Sequence, residues 1–146
     1  MSSQSSAAAT IIPLGRLADR SAVVALTGRL LLSAIFLISG WSKVAAPAAT
    51  IGYIGSVGLP FPQLGLGIAI AIEFVCGVAL ILGYRARLAA ASLAAFSVFT
   101  AFAFHFDPSD QNQLVHFLKN MAMAGGLLQI VAFGAGRFSL DARARQ

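Results

Sequence analysis

Residues 64–84 read LGLGIAIAIEFVCGVALILGY, an apolar run of 21 residues whose only charge is Glu73. As a helix this run would be ~31 Å long, about the thickness of a bilayer's hydrocarbon core. Glu73 then falls near mid-membrane, where an ionised carboxylate costs about 3 kcal/mol unless it is protonated or paired. The rest of the chain must therefore offer it a partner. The other three apolar segments all carry basic groups: Arg29 in the first, His105 in the third, and His116 with Lys119 in the fourth. At helical spacing Ala69, Cys76 and Gly77 surround Glu73, a small-residue face that another helix can approach closely.

These runs predict an all-α fold, an integral membrane four-helix bundle with spans at about 22–42, 64–84, 86–106 and 114–134. Composition agrees: 58% of residues are hydrophobic and 10% charged, against about 25% charged in soluble domains. Residues 22–136 form the membrane domain, residues 1–21 a cytoplasmic N-terminal tail, and residues 137–146 a basic cytoplasmic tail. Within the first tail, residues 1–9 are rich in Ser and Ala and read as disordered, and residues 11–20 as a short interfacial helix. The first apolar run begins too late, and is too long, for a signal peptide, so it reads as an uncleaved span. Between the first two spans Pro47 precedes Ala48, Ile51, Ile54 and Val57 at roughly helical spacing. This pattern predicts a short amphipathic helix on the membrane surface, ended by Gly58.

The formal charge of +5 sits at the segment ends, as membrane topology requires, and does not point to nucleic acid. Arg16, Arg20, Arg85, Arg87, Arg137, Arg143 and Arg145 fall on one side of the membrane, and Lys43, beside Trp41 at the close of the first span, on the other. Both termini are therefore expected in the cytoplasm (N-in/C-in). At ~1.5 Å per residue from the outer ends, Lys119 lies ~8 Å deep, Glu73 ~13 Å and Arg29 ~20 Å. Glu73 thus lies between two cations, and either Arg29 or Lys119 is a candidate partner. His105, His116 and Lys43 lie shallower, and Asn120 belongs to the same cluster as His116 and Lys119. The result is a polar column in the outward half of the bundle. It reads either as a self-satisfied network or as a pocket for a small polar or quinone-like headgroup. His116, Lys119 and Asn120 exceed what one carboxylate needs, which favours the pocket.

Other site chemistry is sparse. His105 and His116 suggest a bis-histidine haem, but the short loop between their helices and their nearness to water argue against it. A metal site would need more ligands than these histidines and the loop aspartates offer. The sequence holds no phosphate loop, dinucleotide fingerprint or nucleophile motif, so no catalytic residue is assigned. The single cysteine, Cys76, excludes an intrachain disulfide and reads as a small packing residue.

The pattern Arg29 … Phe36-Leu37 … Ser39-Gly40-Trp41-Ser42-Lys43 resembles the first-helix signature of the DoxX family. So do Gly58-Leu59-Pro60, then Glu73 with Gly77, Ala79, Leu80 and Gly83. His116-Phe117-Leu118-Lys119-Asn120, Gly125-Gly126 and Gly136-Arg137-Phe138-Ser139-Leu140-Asp141 complete the resemblance, which covers about residues 26–143. It implies a multi-pass protein of the bacterial inner membrane, linked to quinone-dependent oxidoreductases and oxidative-stress complexes. The expected function is an accessory subunit of such a redox system, with a quinone as candidate ligand and a membrane or cytoplasmic oxidoreductase as partner. Two alternatives stand beside it: a proton-coupled transporter working as a homo-oligomer, in which Glu73 relays the proton, and a scaffold that recruits a soluble oxidoreductase.

Overall fold

The computed structural model describes the backbone of residues 14–146 and the side chains of residues 19–146. The stretch 1–9 and the start of the expected interfacial helix at 11–20 lie outside the described residues. From Leu14 the chain is already helical, and this helix runs without a break into the first span as α1, Leu14–Ala45. Its 32 residues would measure ~48 Å, longer than a hydrocarbon core, so its first turns extend beyond the bilayer. Five further helices follow among the described residues: α2 Pro47–Ser56, α3 Pro62–Leu82, α4 Ala86–His105, α5 Gln111–Phe133 and α6 Leu140–Arg143. Among the described residues four stretches are long and apolar enough to cross a membrane: Asp19–Ala45, Pro62–Leu82, Ala86–His105 and Gln111–Phe133.

Burial is inverted relative to a soluble bundle. Leu31, Ile38 and Phe133 are 70%, 69% and 80% exposed, while Arg29 and Glu73 are 1% and 2% exposed. Lipid solvates the apolar exterior, and the polar groups turn inward. The core is built largely of alanine and leucine, with Ala86, Ala89, Ala90, Leu93, Leu80 and Leu127 among its members. Small residues let backbones approach, so α4 packs extensively on α5 and α1 on α3. The α1–α3 contact has a legible register. A Cβ on Gly40 would lie 3.1 Å from the Phe74 ring and 3.3 Å from Glu73 Cβ. A Cβ on Gly77 would lie 3.0 Å from Leu37 Cδ2. The two helices are therefore antiparallel, with Gly40 at the level of Glu73.

α2 starts at Pro47, as its sequence predicts, and its Ile54 is buried against α3. Its end comes at Ser56, with Gly58 in the left-handed region at φ 76°.

The residues after α5, read from the sequence as a basic tail that opens with the closing motif of the resemblance, are docked. Ser139 Oγ accepts from the amide N–H of Ala142 and caps α6. The Asp141 carboxylate accepts from the N–H groups of Arg85 and Ala86, at 2.8 and 2.9 Å, and so satisfies the start of α4. The Asp141 amide donates to the Gly83 carbonyl. The Arg29 guanidinium reaches down from α1 and donates to the Phe138 carbonyl. Gly83, at φ 66°, must be glycine on two counts: a Cβ there would collide with Arg29 and Ser139.

Candidate functional site

Glu73 is paired, but not with the partners expected. Its Oε1 accepts from Lys43 Nζ at 2.9 Å and from Ser39 Oγ at 2.9 Å. Lys43 Nζ also donates to Ser39 Oγ, at 2.7 Å. Arg29 points to the Phe138 carbonyl instead, and Lys119 has no ion-pair partner among the described residues.

Side-chain direction decides between the three cations. Helical side chains lean toward their own N-terminus. On α3 that carries Glu73 toward Pro62. On antiparallel α1 it carries Lys43 toward Leu14, so the two lean toward each other. Lys43 lies three residues past Gly40, ~4.5 Å along the axis, which its stem spans easily. Arg29 lies on the other side of Gly40, ~16 Å away, and leans further off. Lys119 on α5 leans toward Gln111, also away from Glu73. Lys43 is thus a buried-end partner, not the interfacial anchor that its place beside Trp41 suggests.

Around this pair lies a cavity of about 1250 Å³. It collects six of the seven residues singled out in the sequence: Glu73, Lys43, His105, His116, Lys119 and Asn120. Arg29 is the exception and belongs to the opposite end of the bundle. The His105 and His116 rings stack with centroids 5.0 Å apart and planes 24° apart. His105 Nδ1 meets Gln113 Oε1 at 2.8 Å, and Asn120 Nδ2 donates to the His116 carbonyl at 3.0 Å. Outside the spans, in the turn that follows His105, the side-chain and backbone donors of Ser109 hold the Asp107 carboxyl below its usual range. Among the described residues no group of three or more His, Cys, Asp or Glu is placed to hold a metal ion.

Sequence reasoning missed four contributors. Ser39 is the first, although its place one turn before Lys43 was a usable signal. Tyr53 on α2 is the second: its hydroxyl donates to the Phe104 carbonyl at 3.3 Å and its ring stacks on Phe104 at 5.3 Å. That contact ties α2 to α4 beside the cavity. Thr100 and Ser97 on α4 are the others. Ser97 matters most, because its Oγ and Glu73 Oε2 are both buried without a hydrogen-bond partner. Cys76 faces Ser92 across α3 and α4, which puts Ser97 within a turn of Glu73's level.

Fold and site together define a class: a four-span membrane bundle that is filled at one end and has a mainly apolar cavity with a cluster of polar side chains toward the other. The DoxX family profile matches residues 24–106. The chain belongs to the DoxX family and is a multi-pass protein of the bacterial inner membrane. It is 34% identical over 116 residues to the inner membrane protein YqjF of Escherichia coli K12, covering 80% of this chain and 88% of YqjF. It is 31% identical over 127 residues to the inner membrane protein YphA of the same organism, covering 83% of this chain and 90% of YphA. No solved structure matches it. The profile ends at Phe106, short of α5, whereas the resemblance read from the sequence extends to about Arg143.

Proposed function

We propose that the chain binds a small amphiphile in this cavity, a quinol or quinone foremost, and serves as an accessory membrane subunit of a redox system. The observation that carries ligand binding is a 1250 Å³ space bordered by both Glu73 and Ser97, whose Oε2 and Oγ are buried just behind its wall without a partner and meet a ligand once their side chains rotate. A buried polar atom without a partner costs about 1–3 kcal/mol, so a ligand that satisfies it gains that much. Glu73 Oε2 calls for a donor, such as a quinol hydroxyl. Lys119 and the two histidines supply donors at the wetter end for a second oxygen. Phe36, Ile68, Phe96 and Phe99 give apolar wall for a ring and tail. The redox role itself rests on the family resemblance.

Binding fits better than passage through the bundle. Leu80, Leu93 and Leu127 are fully buried and fill the bundle toward the end that carries Arg29 and α6. We further infer that both termini are cytoplasmic, since the arginines gather at that end. Purification in mild detergent, followed by extraction and chromatography, tests the proposal. A stoichiometric quinone should accompany the protein and be depleted in Glu73→Gln and Lys119→Met. Equal retention in both variants would sink the proposed site. Proton flux in proteoliposomes that is lost in Glu73→Gln would favour transport instead, and an external reporter fused after Gln146 would reverse the orientation.

A further inference from the structure

We propose that the arginine-lined pocket at the α3–α4 turn binds the phosphate of an anionic phospholipid. The pocket, about 260 Å³, is bordered by Arg85, Arg87, Arg145, Leu88, Gly134 and Asp141. It lies at the far end of the bundle from the cavity and shares no residue with it.

One side-chain carboxylate, Asp141, stands among these three arginines, and it forms an ion pair with none of them. All five Asp and Glu side chains are described, and each already has a partner. Glu73 holds Lys43, and Asp19 holds Arg137 at 2.7 Å. Asp107 accepts from Ser109, and Asp110 caps α5 through the amides of Asn112 and Gln113. Asp141 borders the pocket, but its two oxygens accept from the Arg85 and Ala86 amides. Arg87 and Arg145 have no ion-pair partner among the described residues. Arg85 sits over the Tyr84 ring, 5.8 Å from its centroid, which steadies the guanidinium without neutralising it.

The geometry suits a phosphate that arrives with an acyl chain. Arg87 lies beside Gly134: a Cβ there would stand in ordinary contact with Arg87 Nε, at 3.5 Å. The exposed guanidinium therefore lies close to the C-terminal end of α5. Guanidinium groups meet phosphate oxygens in bidentate pairs, and three of them around one concave surface outweigh the single engaged carboxylate. Leu88, on the same wall, is 61% exposed and lies against lipid in a membrane. A soluble phosphate would gain nothing from that leucine, whereas a lipid lays its chain along it. Basic pockets between spanning helices at a membrane surface are the usual receptors for such headgroups.

The test uses the full chain in a neutral detergent and reads the midpoint of thermal unfolding as phosphatidylglycerol is added, with phosphatidylcholine as reference. Phosphatidylglycerol should raise the midpoint and phosphatidylcholine should not. Arg87→Gln and Arg145→Gln should each weaken the apparent affinity by about tenfold, the value of one charge-assisted contact. Arg87→Lys, which keeps the charge but not the fork, should fall between. Arg143→Gln removes the same charge from a residue outside the pocket and should change little. A loss in Arg143→Gln as large as in Arg87→Gln would reduce the effect to general charge and overturn the site. Equal protection by inorganic phosphate would overturn the lipid assignment in favour of a soluble phosphate, and equal protection by an acidic peptide would overturn it in favour of a protein partner.

Discussion

Glu73 and Lys43 form a pair whose two members are unequal. Glu73 is enclosed, while Lys43 is near an end of its helix and can reach water when released. Lys43→Met leaves a buried carboxylate that must lose its charge or find a new donor, and Ser39 alone is a weak substitute. We expect Lys43→Met to destabilise the bundle by about 1–3 kcal/mol, and Glu73→Leu by less because Lys43 can snorkel. The double variant should recover part of the loss. Arg29→Leu combined with Glu73→Leu should be additive, because the two side chains do not meet. Chemical unfolding in detergent for these variants measures the coupling directly, and a large coupling to Arg29 would contradict the arrangement. The sequence announced that Glu73 needed a cation but could not choose it. Depth counting treats side chains as points on an axis, whereas their lean toward each helix's N-terminus shifts Lys43 and Arg29 in ways that counting ignores. The expected span also ended at Ser42, one residue before the lysine that matters, while α1 continues to Ala45.

The helices themselves were readable because each is an apolar run of bilayer length, and α2 because Pro47 and a helical spacing of apolar residues mark it. Gly77, read as part of a small face beside Glu73, is with Gly40 one of the two glycines at which α1 and α3 pack closely. The segment 136–143 entered the family resemblance, but its docking was not readable, since it lies in contacts with backbone donors and acceptors that no side-chain pattern reveals. Asp141 looks like one acidic residue in a basic tail, yet it satisfies the first amides of α4. Asp141→Ala should cost about 1 kcal/mol, the usual value of a helix cap, and should release the segment from the bundle. Limited proteolysis would register this as earlier cleavage after Arg137 or Arg143. Unchanged cleavage would mean that the Arg29 contact to Phe138 suffices alone.

At the scale of the whole molecule, one half is filled and the other is hollow. Polar atoms buried without a partner beside hollow space are a stability deficit that a ligand repairs. Ser97→Ala removes one such atom at little change in volume. It should leave the ligand-free protein as stable or about 1 kcal/mol more stable, while lowering retention of the bound amphiphile. The two measurements, unfolding midpoint of stripped protein and extracted ligand per chain, should therefore move in opposite directions. A residue serving only the fold would move them together.

The Arg29 contact also orders events in time. Arg29 enters the membrane with the first span, but its acceptor, the Phe138 carbonyl, belongs to a segment made after the fourth. Until Phe138 has been made, the Arg29 guanidinium waits for its acceptor. A ribosome that stops before Phe138 releases four complete spans with that charge unanswered and with α4 uncapped. Such a product should be cleared by membrane proteases far faster than the full chain, so that the segment 136–143 acts as a certificate that the bundle is complete.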